Sequence, residues 1–432
     1  MKKLINQVGV INTLPLLLSV IAIGIISFLL VTSTAPFSKG LFKALNPKPV
    51  SNAATTSFFE NFDGPPTTPQ RWVPPGWDLT LSPDNDLAFT KDYSSFPVPN
   101  CGGGTLFTTP GYEYEYGVFK CSNHLMTKIN EGGYGFMLLT PPALVDFSQG
   151  EAVIKWDIST LSSSGRDWQE FWVSPPDYSL LLDAERWGQN KPQKGIQIKM
   201  EGGSSFTGWV YNNFNGTEIT TNPADISQIV VPSDSRLDTF ELHISRTHIK
   251  FGIPQKNYWW VDTDVADLGW DKGIFHFGQS SYRPKLPCTY NSSGQEDING
   301  IWNGSCGPST WHFDNIGINP AIPFTIIRGD KNLLNSETSN QVSFPQSAPA
   351  GSRLRFTGTA NKIEVSFDNG VNWIRASIMP QPATNPEGDE HPDDYFVPNI
   401  PPGTKSVLFR GERWWGGDWT VNNIAIYAIN FY

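Results

Sequence analysis

The stretch TFELHISRTHIKFGI, residues 239 to 253, decides the fold class. Its apolar residues occupy every second position on both sides of a short polar break, at Phe240, Leu242, Ile244, Ile249 and Phe251. Successive side chains of a β-strand point to opposite faces, so each half of this stretch has one apolar face and one polar face. The pattern predicts a β-hairpin that buries one side.

The same alternation recurs along the chain, and it predicts an all-β protein. In AVIKWDIS (152–159) and GIQIKME (195–201), apolar residues again fall on one face of a strand. No stretch after residue 60 sustains a helical period. Charged residues make up only 17% of the chain, while 39 Gly and 35 Pro supply frequent turns. Two layers of antiparallel sheet bury many one-sided strands, so we predict β-sandwiches.

An internal repeat predicts two folded domains. Residues 311–318, WHFDNIGI, align without gaps with residues 419–426, WTVNNIAI, and each copy ends a unit. The first copy is followed by the short linker NPAIPF and the second by the last residues of the chain. We predict a larger sandwich over 58–320 and a smaller one over 321–432, preceded by a flexible tether over 32–57.

The first 31 residues predict a short cytoplasmic tail and a transmembrane helix. Residues 8–31 are apolar apart from a few small polar residues, which is long enough to cross a bilayer. A removable signal peptide is the alternative, but its apolar stretch is usually shorter, about 7 to 15 residues. The expected location is therefore the cell membrane, with a single span and the folded domains extracellular.

Cysteines and charge narrow the setting further. Cys101 and Cys121, and then Cys288 and Cys306, form two local pairs in Gly-, Ser- and Asn-rich segments, which predicts two extracellular disulfides rather than free thiols. The formal net charge is −10, and no cluster of Lys and Arg stands out. Nucleic acid is not an expected partner, because phosphate binding depends on clustered cations.

Three motifs of the first domain carry a family resemblance. They are FFENFDG (58–64), GIFHFGQSSY (273–282) and the closing WHFDNIGI (311–318). Together with the series of alternating strands, they resemble the concanavalin A-like lectin/glucanase superfamily. The resemblance covers about 260 residues. It implies a jelly-roll sandwich whose concave face commonly binds carbohydrate.

The same resemblance implies one structural calcium ion near the paired ends of the domain. The matching acidic position is Asp314, with Asp63 nearby in the opening motif. Calcium requires several hard oxygen ligands, and only these two acids are candidates. The alternative is that Asp314 caps the end of a strand.

The segment GRDWQEFWVSPP (165–176) holds the strongest candidate site. On a strand, Trp168, Glu170 and Trp172 share a face, whereas Asp167 points to the other one. Two indole rings around a carboxylate suit a sugar, because the rings stack on C–H groups and the carboxylate binds hydroxyls. The alternatives are a buried role, with Glu170 paired to a cation such as Arg166, and catalysis by Glu170. The glucanases of this superfamily typically carry three acids, E-x-D-x-E, where this chain has Trp, Glu and Trp.

Two tryptophan clusters and one turn motif complete the candidates. In YWW, Trp259 and Trp260 are adjacent, so at least one should be partly exposed and available to a sugar. In RWWGGDW (413–419), the alternative is a surface cation–π pair with the arginine. SFDNGVNW (366–373) matches the Asp-box of sialidases and predicts a structural turn.

The sequence thus predicts a cell-surface carbohydrate-binding protein without catalysis. A glycoside hydrolase or polysaccharide lyase of the jelly-roll type is the first alternative. It would need a second acid from another strand, since retaining and inverting glycosidases both use two carboxylates. A structural surface or adhesion module is the second alternative. Apart from the calcium ion, no cofactor is expected.

Overall fold

In the computed structural model, the described residues are 56–65, 70–81, 117–121, 123–130, 134–162, 167–178, 180–181, 191–201, 205–223, 238–282, 289–290, 296–297, 308–327, 329–330, 333–378, 393–414 and 416–428. The transmembrane helix predicted over residues 8–31 lies outside these ranges. No helix within them is long and apolar enough to span a membrane.

The first part of the chain forms 21 strands among the described residues. They are β1 (Thr56–Glu60), β2 (Gln70–Arg71), β3 (Asp78–Leu81), β4 (Gly117–Cys121), β5 (His124–Asn130), β6 (Tyr134–Thr140), β7 (Ala143–Asp146), β8 (Ala152–Ser162), β9 (Asp167–Ser174), β10 (Leu180–Leu181), β11 (Lys191–Pro192), β12 (Lys194–Glu201), β13 (Ser205–Asn212), β14 (Asn215–Glu218), β15 (Asp238–Ile244), β16 (His248–Ile253), β17 (Tyr258–Asp264), β18 (Lys272–Tyr282), β19 (Thr289–Tyr290), β20 (Glu296–Asp297) and β21 (Pro308–Pro323). A 3-10 turn over Pro254–Lys256 separates β16 from β17.

The described residues of the second part of the chain add nine strands. They are β22 (Ile326–Ile327), β23 (Val342–Ser343), β24 (Ser352–Gly358), β25 (Lys362–Ser366), β26 (Ile374–Arg375), β27 (Ser377–Ile378), β28 (Asp393–Val397), β29 (Ser406–Glu412) and β30 (Val421–Ala428). The prediction of an all-β protein is confirmed for the residues that the structure describes.

Two antiparallel layers build the larger sandwich. One layer, the back sheet, has the order β1-β21-β8-β15-β16-β17, and the other, the front sheet, has the order β14-β13-β12-β9-β18-β6-β3. Strand β7 pairs with both β18 and β21 and so joins the two layers. The curled pair of sheets is the jelly-roll arrangement that the sequence predicts.

The core of this sandwich lies where the predicted apolar faces meet. Trp156 on β8 of the back sheet is 1% exposed, and its ring centroid lies 4.4 Å from that of Phe171 and 5.5 Å from that of Phe275 on the front sheet. The hairpin β15–β16 contributes its alternating apolar side chains to the same core. The period-2 pattern of the sequence therefore identified the buried side of these strands correctly.

A second sandwich with its own core follows. Its sheets have the orders β22-β30-β24-β28-β27 and β23-β29-β25-β26, and Phe356, Tyr395, Phe409 and Trp419 are buried between them. The two sandwiches touch through a small apolar cluster that joins Leu144 and Ile274 to residues of β30. The side chains of Arg353 and Asp177 form an ion pair across this contact.

The repeated motif adopts the same local shape in both sandwiches. In β21, three steps from Asp314 to Gly317 face two steps on β8, and in β30 the three steps from Asn422 to Ala425 face two steps on β24. Each closing strand thus carries a one-residue β-bulge at the corresponding position, and Asn315 has a φ of +50° there. The sequence repeat therefore corresponds to a bulged last strand.

Candidate functional site

The site predicted on β9 lies on the face of the front sheet that points away from the core. Glu170 and Trp172 are on this face, and residues of the two neighbouring strands lie directly opposite them. Lys199 of β12 faces Glu170 in the register, while Gln197 of β12 and His276 of β18 flank Trp172. We call this surface the polar face.

Glu170 is the centre of a hydrogen-bond network on the polar face. Its Oε2 accepts hydrogen bonds from the indole Nε1 of Trp172 at 2.9 Å and from Nε2 of Gln197 at 3.2 Å. Its Oε1 accepts a hydrogen bond from the hydroxyl of Ser280 at 2.5 Å. The side chain of Glu170 is 1% exposed and that of Trp172 is 0% exposed. The carboxylate is therefore enclosed and occupied by three donors from three strands.

This burial corrects the prediction that Glu170 and Trp172 form an open sugar-binding surface. Leu138 of β6 and Leu180 of β10 pack against the Trp172 ring, so no face of that ring is free for a ligand. The donors that Glu170 meets in this network are neutral side chains. Trp168 belongs to β9, but its side chain lies outside the described part of the structure, as does Arg166.

His276 is buried next to this network. Its Nδ1 lies 2.7 Å from the hydroxyl oxygen of Thr140, and its Nε2 lies 3.5 Å from that of Ser174. Burial, and secondarily the positive charge of Arg355 from the second sandwich, lower the pKa of His276 to about 3. The ring is therefore neutral at ordinary pH and unsuited to donating a proton from an imidazolium.

A partly exposed aromatic pair lies at the edge of the polar face. Trp209 and Tyr211 on β13 point away from the core, because the intervening Val210 packs against the core and a side chain at Gly208, on the same face as Val210, would meet core residues. The hydroxyl of Tyr211 donates a hydrogen bond to Oε1 of Gln197 at 3.0 Å, and Gln197 in turn donates to Glu170. A continuous chain of hydrogen bonds thus links the edge to the buried carboxylate.

Sequence reasoning missed this pair, although the signal was present. In GWVYN (208–212), the aromatic residues occupy alternate positions, which is the same pattern that singled out β9. Glu218 of β14 lies directly opposite Trp209 in the register and is exposed. The Tyr211 ring covers Gly216, since a β-carbon added there would lie 2.7 Å from Cε1 of the ring.

Trp259 and Trp260, the other two tryptophans predicted to bind a sugar, pack against other side chains of the sandwich. Trp260 is 0% exposed in the core and cannot reach a ligand, because its strand turns that side chain inward. Trp259 is half-buried on the back sheet, where the ammonium of Lys250 sits 4.1 Å from the centroid of its ring. The ring of His243 meets it edge-on at 5.6 Å. Trp259 is therefore part of a surface cation–π pair.

Two described carboxylates beside the polar face, Glu218 and Asp78, lie too far from Glu170 to form a glycosidase pair with it. Glu218 on β14 and Asp78 on β3 flank the polar face, and each is three strands away from Glu170 on β9. Neighbouring strands are about 4.8 Å apart, so the separations are roughly 14 Å. Glycosidases hold their two carboxyl groups about 5 to 9.5 Å apart.

The two residues predicted to hold calcium lie in the electrostatic neighbourhood of a buried lysine, Lys120. Asp63 is exposed and Asp314 is half-buried, and a hydrogen bond from the backbone N–H of Asn315 reaches Asp314 Oδ1 at 2.8 Å. Burial, with the nearby carboxylates of Asp157 and Asp63, raises the pKa of Asp314 to about 6. The Nζ of Lys120 donates a hydrogen bond to the carbonyl of Gly64 at 2.9 Å in the same place.

This donor set does not fit calcium. The ion takes six to eight oxygen ligands, whereas no group of three or more His, Cys, Asp or Glu side chains suited to a metal occurs among the described residues. The ammonium group of Lys120, which donates to the Gly64 carbonyl, would also repel a divalent cation there.

One of the four cysteines belongs to the described residues. Cys121 on β4 is buried and disulfide-bonded. Its predicted partner Cys101, and the predicted pair Cys288 and Cys306, lie outside the described residues. The Asp-box turn of the second sandwich is held internally, since Asp368 accepts hydrogen bonds from Ser366 at 2.8 Å and from the backbone of Asn372 at 2.8 Å.

Comparison with known proteins gives similarity at the level of structure only. No protein-family model matches the chain, and no curated protein is similar enough in sequence to match it. A β-glucanase from Bacillus licheniformis is 11% identical, with 61% of this chain and 97% of that chain covered and a TM-score of 0.33. An endo-β-1,3-glucanase from Pyrococcus furiosus is 12% identical, with 62% and 94% covered and a TM-score of 0.33.

The carbohydrate recognition domain of Emp46p is 11% identical, with 51% of this chain and 94% of that chain covered and a TM-score of 0.30. By their names, these proteins are two glucanases and a carbohydrate recognition domain. The assignment of the jelly-roll fold follows from the strand order of the front and back sheets.

Proposed function

We propose that the larger sandwich binds carbohydrate without cleaving it, at the edge of the polar face. The contact surface consists of the aromatic pair Trp209 and Tyr211, with Gln197 and Glu218 beside it. Aromatic rings offer apolar faces to the C–H groups of a sugar, and amide and carboxylate groups bind its hydroxyls. One observation carries the proposal: the chain of hydrogen bonds from Tyr211 through Gln197 to Glu170 fixes a partly exposed ring on a rigid sheet.

The environment of Glu170 supports binding without cleavage. Both of its oxygens already accept hydrogen bonds from neighbouring side chains, and its solvent exposure is 1%. A general acid or nucleophile has to reach the substrate within about 3 Å. Glu170 therefore acts as a positioning residue that holds Gln197 and, through it, the Tyr211 ring.

We also propose that the folded domains lie outside the cytoplasm, on the cell surface, with residues 8–31 as the membrane anchor. The disulfide at Cys121 supports this setting, because disulfides persist in oxidising compartments. An extracellular site suits a polysaccharide or a surface glycan as the partner.

Binding of the full chain to a panel of immobilised polysaccharides tests the function. Trp209→Ala is expected to weaken binding about tenfold, which corresponds to roughly 1.4 kcal/mol. Tyr211→Phe, which removes only the hydroxyl, is expected to have a smaller effect. Trp414→Ala is the matched control, because Trp414 is 74% exposed but belongs to the second sandwich.

Three results would overturn the proposal. Binding that survives Trp209→Ala and Tyr211→Phe would remove the edge of the polar face as the site. Release of reducing sugar from the same panel, lost in Glu170→Gln, would instead establish a glycoside hydrolase. Failure to bind any polysaccharide, together with self-association of the chain, would favour a structural or adhesion module.

A further inference from the structure

Lys120 is a fully buried lysine at the junction of the first and last strands of the larger sandwich. It lies on β4 next to β2 and β5, and β5 pairs with the closing strand β21. The residue is 0% exposed. Burying an ammonium group costs several kcal/mol unless compensating partners are present.

The partners of Lys120 come from both ends of the domain. Its Nζ donates to the carbonyl of Gly64, which follows β1, and lies 4.9 Å from the centroid of the Trp72 ring. Burial lowers the pKa of Lys120 below its ordinary value, and the carboxylates of Glu60, Asp63 and Asp314 oppose that shift. A carbonyl and an aromatic face therefore contact the cation, and three acids act on it electrostatically.

The backbone at this junction is shaped to present oxygen to that cation. Phe62 has a φ of +52° and is 1% exposed, and its N–H is held by Oε1 of Glu60 at 2.9 Å. The tight turn brings the Gly64 carbonyl to the lysine. On the other side, the β-bulge at Asn315 sets Asp314 at the same junction.

We propose that the ammonium group of Lys120 takes the place of the structural calcium ion that the family resemblance implies, and ties the turn after β1 to the closing strand β21. The positive charge of Lys120 offsets the negative charge of the acids at this junction, which a divalent ion would otherwise neutralise. The larger sandwich therefore needs no metal to join its first and last strands.

Thermal unfolding of the full chain tests this inference in three media: buffer alone, buffer with EDTA, and buffer with millimolar CaCl2. The melting temperature of the unchanged protein is expected to be the same in all three. Lys120→Met keeps the length of the side chain and removes its charge, so it is expected to lower the melting temperature by roughly 5 to 10 °C. Lys256→Met is the control, because Lys256 is an ion-paired lysine whose side chain is 32% exposed.

One outcome that overturns the inference needs only the unchanged protein. A saturable rise in the melting temperature of the unchanged protein with CaCl2, reversed by EDTA, would show that calcium occupies the junction. If Lys120→Met does not fold, titration of the unchanged protein with CaCl2 in a calorimeter decides alone: no heat of binding supports Lys120 as the cation, and stoichiometric binding refutes it. A loss in Lys120→Met no larger than in Lys256→Met also refutes it.

Discussion

The indole N–H of Trp172 donates a hydrogen bond to Oε2 of Glu170, two residues earlier on the same face of β9, at 2.9 Å. The bond joins the two side chains that the sequence singles out as a sugar-binding surface. It also explains why they are not exposed, since the indole and the carboxylate satisfy each other beneath Leu180. Because both groups are buried, the partly exposed aromatic rings on this face are those of Trp209 and Tyr211 on β13.

Glu170→Gln is expected to lower the free energy of unfolding by about 2 kcal/mol. A carboxylate accepts from all its neighbours, whereas a glutamine side chain offers one carbonyl oxygen and adds an NH2 group that needs acceptors. The three donors Trp172, Gln197 and Ser280 cannot all be satisfied by that oxygen. Urea unfolding followed by tryptophan fluorescence measures the loss.

The control for this change is Glu151→Gln. Glu151 also accepts a hydrogen bond, from His243 at 3.0 Å, but its side chain is 51% exposed. Pairs at such exposure contribute about 0 to 1 kcal/mol. Equal losses in the two variants would show that the Glu170 network has no special weight.

His276 makes the larger sandwich sensitive to acid. Its folded pKa of about 3, set by burial and then by Arg355, is below the ordinary value of 6.5. The unfolded chain therefore binds a proton that the folded chain does not, and this contribution to stability is present above pH 6.5 and lost as pH falls toward 3. The loss is roughly 1.4 kcal/mol for each pH unit in that window.

Melting curves of the unchanged protein and His276→Gln between pH 7 and pH 4 measure this effect. The difference in melting temperature is expected to shift in favour of His276→Gln as the pH falls. Ser174→Ala is the control, because it alters a neighbour of His276 and keeps the imidazole. Parallel pH profiles for the unchanged protein and His276→Gln would contradict the assignment.

Gly216→Ala is expected to weaken carbohydrate binding while the fold persists. The added β-carbon would lie 2.7 Å from Cε1 of Tyr211, so the ring has to move away from its place at the edge of the polar face. Binding to the polysaccharide that the unchanged protein prefers is expected to fall several-fold, with an unchanged circular dichroism spectrum. This prediction depends on the proposed function.

Gly317→Ala provides the comparison for that change. A β-carbon at position 317 would meet Cδ2 of Phe59 at 3.7 Å, an ordinary van der Waals contact far from β13. Full binding by Gly216→Ala would show that the Tyr211 ring does not contact the carbohydrate.

The fold was predictable because apolar and polar residues alternate along the strands, so that one face of each strand is buried. The alternation in residues 152–158 and 239–253 identifies which side chains of β8, β15 and β16 are buried, and the structure confirms it for Trp156 and Phe240. The repeat of WHFDNIGI also identified the last strand of each sandwich. The shared β-bulge was not predictable, because the extra residue is defined only by the register of the partner strand.

For the site, the sequence predicted only which side chains of β9 share a face. Alternation places Glu170 and Trp172 together, and the register confirms it. Whether that face meets solvent depends on residues outside β9, such as Leu138 and Leu180, which the alternation within β9 does not contain. The same limit applies to Asp314, whose cationic neighbour Lys120 is distant in sequence and joins it only through the pairing of β5 with β21.

The contact between the two sandwiches is expected to be energetically coupled through Arg353 and Asp177. These side chains form an ion pair with exposures of 27% and 21%, and Nη1 of Arg355 donates to the carbonyl of Pro176 at 3.1 Å beside it. A partly buried pair is screened less by salt than an exposed one. A double-mutant cycle of Arg353→Ala and Asp177→Ala in urea unfolding is therefore expected to give a coupling energy of about 1 to 2 kcal/mol.

Arg246 and Asp267 form the matched pair, 2.6 Å apart and with exposures of 51% and 53%. Their coupling is expected to be weaker, because solvent-exposed ion pairs contribute little to stability, and a coupling between Arg353 and Asp177 no larger than this would show that the sandwiches fold without help from the ion pair.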